Sequence, residues 1–277
     1  MKSFNDKVAA ITGAGSGIGH ALALALARNR CHLALADINE VGLEETALQA
    51  RAEGVQVTTQ KLDVSKRREV ETWAKQVVTD HGRIHLVFNN AGVALSSSIQ
   101  GSSYKDLEWL MGIDFWGVVY GTKSFLPYLK ETGEEGCIIN ISSVFGLVSV
   151  PSQSAYNAAK FAVRGFTECL REELAMEGSK VTALSVHPGG IKTNIARAAR
   201  MDKSMHDLGL SNDSGAKFEK AFITSPAKAA KTILAGVRRN SGRVLIGPDA
   251  HVIDWMARLM PVSYQKLVIA FARRSIS

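Results

Sequence analysis

A phenol and an ammonium one helical turn apart form the most chemically telling pair in the chain: Tyr156 and Lys160, in the run Tyr156-Asn157-Ala158-Ala159-Lys160. At spacing i and i+4 near the start of a helical segment they share one face, and a cation beside a phenol favours its anion. Bringing a phenol from a pKa of ~10 to ~7 takes about 4 kcal/mol, at ~1.36 kcal/mol per unit. A close ammonium and a second cation in the same low-dielectric cleft could jointly supply that. Thirteen residues before the Tyr stands Ser143, after the apolar run 137–141, where a hydroxyl could polarise a substrate oxygen. Alone, each pattern is commonplace, the first as chance surface pairing and Ser142-Ser143 as a strand end or cap.

A second constellation binds rather than reacts. Thr12-Gly13-Ala14-Gly15-Ser16-Gly17-Ile18-Gly19 follows an apolar run and precedes a helical one. Glycines at a strand-to-helix turn let the backbone approach a pyrophosphate, and the helix N-terminus offers N–H groups and a positive dipole end. The spacing is not Gly-x-Gly-x-x-Gly, whose third glycine would fall on Ile18 or His20. Asp37 ends the second apolar run, 18 residues after Gly19, where a carboxylate can accept hydrogen bonds from ribose hydroxyls. It would repel a 2′-phosphate by several kcal/mol at intermediate dielectric. The residues after it, Ile38, Asn39 and Glu40, include no cation to offset that. NAD is therefore favoured and NADP disfavoured, while the bland alternative is a helix-capping Asp.

These groups need a frame. Apolar runs at 8–12, 31–36, 55–62, 84–89, 137–141, 180–187 and 243–246 are short and apolar on both alternating faces, as strands covered on both sides are. Between them, segments 19–28, 43–53, 65–81, 105–130 and 154–178 carry apolar residues at three- and four-residue spacing. Strand alternating with helix predicts an α/β fold, a doubly wound parallel sheet of Rossmann-like type. One domain over 1–250 with a helical extension over 251–277 is expected. The chain has 277 residues, 46% hydrophobic and 21% charged, enough for a substantial core. Its net charge of +7 is local: from Lys217 onward 11 Lys or Arg face 3 Asp or Glu, and before it 22 face 23. With no nucleic-acid reading element beside it, this basicity does not imply a nucleic-acid partner. Cys31, Cys137 and Cys169 lie far apart and read as buried free thiols of a reducing compartment. The seven His form no metal-ligand spacing, so no metal is expected, and His187 reads as a strand end. No apolar stretch approaches the ~18 residues of a spanning helix, and the start of the chain leaves no room for a signal peptide. A cytoplasmic protein is the expectation.

Taken together, TGAGSGIG, Asp37, Asp63-Val64, Asn89-Asn90-Ala91-Gly92, Ser143, YNAAK and Pro188-Gly189 with Thr193 occur in one order. The set closely resembles the short-chain dehydrogenase/reductase family over about residues 4–250. The resemblance implies that Gly13, Ser16, Gly17, Ile18 and Gly19 line the pyrophosphate of NAD. It also implies that Asp63 and Val64 hold the adenine, that Asn90 lies along the cofactor, and that Ile191 and Thr193 meet the nicotinamide carboxamide end. It assigns Tyr156 as acid/base, Lys160 to the nicotinamide ribose and the Tyr pKa, and Ser143 to the substrate oxygen. One departure stands out: the family usually has Asn where this chain has Asp114, and that Asn is thought to hold a water of the proton relay. If a main-chain carbonyl holds the water, Asp114 can substitute. If the amide is essential, a carboxylate raises the Lys160 pKa and slows proton release.

The substrate is expected to be a small-molecule secondary alcohol or ketone of apolar character. Segment 191–222 offers Ile195, Met201, Met205, Leu208, Leu210, Phe218 and Phe222 as lining, with 94–98 and 144–150 as the other wall; a plain core-covering helix and loop is the alternative. Rival functions are a 3-oxoacyl thioester reductase, which Asp37 fits poorly, and a nucleotide-binding interaction protein that lost turnover. A homodimer or homotetramer is expected through 105–130 and 154–178, whose outer faces would carry Trp109, Phe125, Phe161 and Phe166. In the tail, Val252, Ile253, Met256, Leu259 and Met260 make one helical face, and Tyr264, Leu267, Val268 and Phe271 a second beside Lys266, Arg273 and Arg274. Docking on protein or peripheral contact with the inner face of a membrane both fit it.

Overall fold

The computed structural model describes residues 1–193, 195, 198–209 and 222–274. Seven parallel strands form one sheet: β1 (Val8–Thr12), β2 (His32–Asp37), β3 (Val57–Lys61), β4 (Leu86–Asn89), β6 (Gly136–Ile141), β7 (Val181–Pro188) and β9 (Arg243–Ile246). Their spatial order is β3-β2-β1-β4-β6-β7-β9, and β5 (Leu95–Ser96) pairs separately with β8 (Arg200–Met201). The chain winds outward from β1 to β3, then returns to lay β4 on the other side of β1. That reversal opens a crevice beyond the carboxyl ends of β1 and β4, where open α/β sheets take ligands.

Strand alternation sorts the core into two layers. Ala9 and Ile11 of β1, with Leu184 and Val186 of β7, face α1 (Gly17–Arg28), α2 (Glu40–Arg51) and α7 (Pro226–Arg238), packing on Leu22, Leu26, Ala47 and Ile233. Val8 and Ala10, with Ile138 and Ala183, face α3 (Arg67–His81), α5 (Gly117–Glu131) and α6 (Ser154–Met176), packing on Trp73, Phe125 and Leu170. Each fully buried Leu, Ile or Phe contributes about 1.5–3 kcal/mol, so the crevice rests on a rigid base.

Four details differ from the sequence expectation. The run 55–62 is an edge strand, with β3 paired to β2 alone and partly exposed. Segment 105–130 is α4 (Tyr104–Met111), a π-helical turn Gly112–Trp116, and then α5, because the turn inserts a residue into the helical ladder. Phe125 is no surface residue: it is fully buried, edge-on to Trp73 at 5.2 Å. Cys169 is exposed, whereas Cys31 and Cys137 are buried.

The tail forms α8 (Pro248–Leu259) and α9 (Tyr264–Arg274), folded back on the body. Asp254 of α8 pairs with Arg243 of β9 at 3.3 Å and with Arg258 at 2.8 Å, and Arg243 also reaches Glu168 of α6. Tyr264 is buried, its hydroxyl accepting the Ser149 N–H at 3.1 Å and bonding the Ser149 hydroxyl at 2.9 Å. The expected first face does not pack as one unit: Ile253 and Met256 are half-buried, but Val252 and Leu259 are exposed.

Candidate active site

The glycine turn is built for close approach. Gly13 has φ +65°, which L side chains rarely adopt, and a Cβ on Gly19 would stand 2.1 Å from the Gly13 carbonyl oxygen. Asn90, just beyond β4, donates its amide to the carbonyls of Thr12 at 2.9 Å and Gly13 at 3.1 Å. The Thr12 hydroxyl in turn accepts the N–H groups of Asn90 and Ala91. Asn90 thus locks the turn to the neighbouring strand. At α1 the N-cap residue Ser16 makes no side-chain cap, whereas Asn39, Ser103 and Ser225 cap α2, α4 and α7. The first-turn N–H groups at Gly17, Ile18 and Gly19 therefore have neither an intrahelical acceptor nor a cap. That arrangement fits an anionic pyrophosphate.

Asp37 does more than end β2. Its Oδ2 accepts the Gly15 N–H at 2.8 Å and its Oδ1 the Asn39 N–H at 2.8 Å. The carboxylate is pinned at the rim of the turn with lone pairs to spare. Thr193 lies over the same turn, since a Cβ on Gly17 would meet its Cγ2 at 3.1 Å. Ile191 is buried and bridges Thr224. Asp63 Oδ1 takes both the N–H and hydroxyl of Ser65, and buried Val64 packs against Gly117.

The proton-moving groups meet along the same carboxyl edge of the sheet, at the end of β6, two strands from β1. The Lys160 Nζ donates to the Ile141 carbonyl at 3.2 Å, lies 3.0 Å from Asp114 Oδ2 and stands 5.4 Å from the Tyr156 ring centre. Asp114, with no exposed surface, also accepts the Val93 N–H on Oδ1 at 2.8 Å. Its place in the π turn aims it at Lys160, so the sequence departure is an ion pair in the structure. Burial alone would push the Lys160 ammonium down, yet Asp114 and Tyr156 hold it above its ordinary value. Burial lifts the Tyr156 phenol; Lys160 pulls it down, Asp114 adds to the rise and a Ser143 hydrogen bond opposes it. The net direction is upward, the reverse of the downward shift expected from Lys160, because burial outweighs the pull of that ammonium, with Asp114 adding to the rise. Ser143 caps the 3-10 turn Val144–Gly146 through the Phe145 N–H at 3.1 Å.

Three supports carried no sequence signal for their roles. His187 is buried between the Ser143 carbonyl, 2.9 Å from Nδ1, and the Ser185 hydroxyl, 2.9 Å from Nε2. Burial depresses its pKa to about 4, so a neutral ring with Nδ1–H donating fixes the Ser143 backbone. Below the site, Asn140 joins Asn89 at 2.8 Å and Thr167 at 2.9 Å in a buried polar network that ties β4, β6 and α6. Asp249, in the first turn of α8, accepts the Gly190 N–H on Oδ2 at 2.6 Å. Gly190 and Thr224 pair at the two ends of segment 191–223, where the Lys192 N–H reaches the Thr224 carbonyl at 2.9 Å. Asp249 thereby clasps the base of that segment.

Of the walls expected from the sequence, 94–98 meets the segment after 191 on one side and residues 152–153, just beyond 144–150, on the other. β8 pairs with β5, the Ser97 N–H donates to Ser152, and the Gln153 amide donates to Ser96 at 2.7 Å. Arg200 stacks 3.5 Å above the Trp109 ring and pairs with Asp106, so Trp109 serves the wall rather than an outer face. Met205 is buried and Ile195 and Phe222 are half-buried. Met201 and Leu208 are instead about two-fifths exposed, at 40% and 41%; Leu210 and Phe218 lie outside the described residues.

A glycine turn beneath an uncapped helix, an acidic rim and a Ser–Tyr–Lys cluster stand at the same sheet edge, the arrangement that the resemblance implied for an oxidoreductase. The chain belongs to the short-chain dehydrogenase/reductase family: the family model described as short chain dehydrogenase matches residues 7–204. A Mycobacterium tuberculosis protein named as the oxidoreductase SadH is 49% identical over 272 residues, covering 98% of this chain and 96% of its own. Among solved structures, a short-chain dehydrogenase/reductase from Burkholderia phymatum in complex with NAD superposes with TM-score 0.87 at 31% identity, covering 93% and 95% of the two chains. An alcohol dehydrogenase from Thermococcus sibiricus complexed with 5-hydroxy-NADP gives TM-score 0.73 at 26% identity, over 87% and 95%.

Proposed function

We propose that the chain is an NAD-dependent oxidoreductase that interconverts a secondary alcohol and its ketone, with an apolar substrate held between segment 191–222 and the walls at 94–98 and 144–150. The observation that carries this reading is the cluster of Ser143, Tyr156 and Lys160 at the edge of the crevice that holds the glycine turn. NAD supplies, when bound, a hydride acceptor at its nicotinamide C4, and NADH the matching donor. Gly13, Ser16, Gly17, Ile18 and Gly19 hold the pyrophosphate through backbone N–H groups and the dipole of α1. Asp37 accepts the ribose hydroxyls, Asp63 and Val64 flank the adenine, and Asn90, Ile191 and Thr193 border the nicotinamide half.

In the chemical step the Ser143 hydroxyl donates to the substrate oxygen and the Tyr156 oxygen takes the alcohol proton, or returns it in reduction. Lys160 orients the ribose and favours the phenolate. Burial, with Asp114 adding to it, holds the phenol up, so a bound oxidised nicotinamide would supply positive charge that favours the phenolate. The neighbour solved with NAD supports the cofactor reading; Asp37 argues against NADP, which the Thermococcus neighbour's ligand otherwise keeps in play. A homodimer or homotetramer is expected across α4 to α6, whose faces carry exposed Trp116 and Phe161 beside Phe115 and Phe166; a monomer in sedimentation at micromolar concentration would contradict it.

The test of the reaction is turnover of NAD with steroids, retinoids, acyl thioesters and simple secondary alcohols. Oxidation of apolar secondary alcohols supports the reading. Turnover confined to acyl thioesters, or to NADP, overturns it.

A further inference from the structure

Docking accounts for only part of the tail's apolar side chains. The inward edge of α9 consists of Tyr264, Val268 and Ala272, at i, i+4 and i+8, which are buried or half-buried. Outward stand Val252, Trp255 and Leu259 of α8, at i, i+3 and i+7, with Val262 of the connecting turn and Leu267 of α9. All five are more than half exposed, from 53% at Leu267 to 71% at Leu259 and Val262. A single exposed apolar residue is ordinary, but five large ones along two consecutive helices mark a contact surface.

Charge selects what covers it. α9 carries Lys266, Arg273 and Arg274 and no acidic residue. Both acidic side chains of α8 are engaged elsewhere, Asp249 on Gly190 and Asp254 on Arg243 and Arg258. On these two helices the outer face is therefore apolar, and the charges not engaged in a described pair within the protein are basic, at Lys266 and Arg273. In a symmetric contact between two copies the same patch meets itself, which would bring together the basic residues of both copies while the acidic side chains of α8 are already engaged within each. An anionic bilayer surface supplies both apolar depth and opposite charge, and a Trp suits its headgroup level. No helix among the described residues is long and apolar enough to cross a membrane, so such a contact is peripheral.

We propose that the outer face of α8 and α9 seats the protein on an anionic lipid surface. Trp255, Leu259 and Leu267 enter the headgroup boundary, while Lys266 and Arg273 meet the anionic groups. This inference stands on the tail alone and is independent of the proposed reaction.

The test is flotation of the full chain with phosphatidylglycerol–phosphatidylcholine vesicles against vesicles of phosphatidylcholine alone. Binding is expected to the anionic vesicles and to fall with added salt. Each basic residue removed weakens partition about fivefold, so Lys266→Ala with Arg273→Ala loses about 25-fold. Trp255→Glu with Leu259→Glu should abolish binding while leaving thermal stability unchanged, since both side chains are exposed. Absent binding, or equal binding to both vesicle types, overturns the proposal. So does a Trp255→Glu, Leu259→Glu variant that still floats with anionic vesicles, or one whose only change is loss of an oligomer in sedimentation, which would make a second copy the occupant.

Discussion

Replacing Asp37 by Ala together with Ile38 by Arg should turn the cofactor preference from NAD toward NADP and loosen the glycine turn at the same time. The first effect is electrostatic: a unit charge ~4 Å from another repels by about 4 kcal/mol at an effective dielectric of 20 and by about 1 kcal/mol in bulk water. Asp37 sits at a half-exposed rim, between these limits. At least ~1.4 kcal/mol of discrimination follows, so the parent should bind NAD at least about tenfold tighter than NADP. Ile38 is 65% exposed, leaving room for a guanidinium that can grip a phosphate. The second effect comes from the two backbone N–H groups that the carboxylate accepts, at Gly15 and Asn39. Bonds to a charged group are worth about 1.5–3 kcal/mol each when buried, and partial exposure reduces the pair to about 2 kcal/mol in all. The single Asp37→Ala variant should therefore lose NAD affinity and about 2 kcal/mol of stability, seen together by calorimetry and denaturant titration. Equal parent affinities for the two cofactors, or an Ala variant with full stability, would refute the reasoning.

Asp114→Asn removes a charge that pushes the Tyr156 phenol up. Because alcohol oxidation needs the phenolate, the rising limb of kcat/KM against pH should move to lower pH, with a maximal rate changed by under about tenfold if the Ile141 carbonyl suffices to hold Lys160; an unmoved limb would remove Asp114 from the circuit. Asp249→Ala should raise KM for the substrate more than it lowers kcat, by about tenfold for the ~1.5 kcal/mol of a bond to a charged acceptor, and Asp249→Asn, which keeps an acceptor for Gly190, should recover most of it. An Ala variant with parent KM would show that the clasp does not shape the substrate segment.

The sheet was legible because its strands are buried on both faces and so read as apolar runs; where burial stops, at the edge strand β3, the run 55–62 overstated it. The glycine turn, Asp37 and the Tyr156–Lys160 pair were legible because each imposes a spacing along one element. What escaped were contacts between elements far apart in sequence. The Asp249–Gly190 bond joins residues 59 apart and the Tyr264–Ser149 bond residues 115 apart, so neither leaves a local pattern. Asp114 was visible as a departure, but whether it formed an ion pair or held a water depended on the π turn, whose five residues look like ordinary helix. Phe125 misled for a related reason: helical spacing gives a stripe, and only the packing of α3 beside α5 decides which side of it is covered.

The central claim is that Tyr156 moves the substrate proton beside a dinucleotide held elsewhere in the crevice. Tyr156→Phe deletes one oxygen and leaves the ring, so NAD affinity and NAD-dependent turnover of a secondary alcohol, measured on the same preparation, separate the two roles. NAD affinity within a few fold of the parent with turnover abolished is the predicted result. Turnover above about a tenth of the parent would contradict the assignment of Tyr156 and, with it, this account of the reaction.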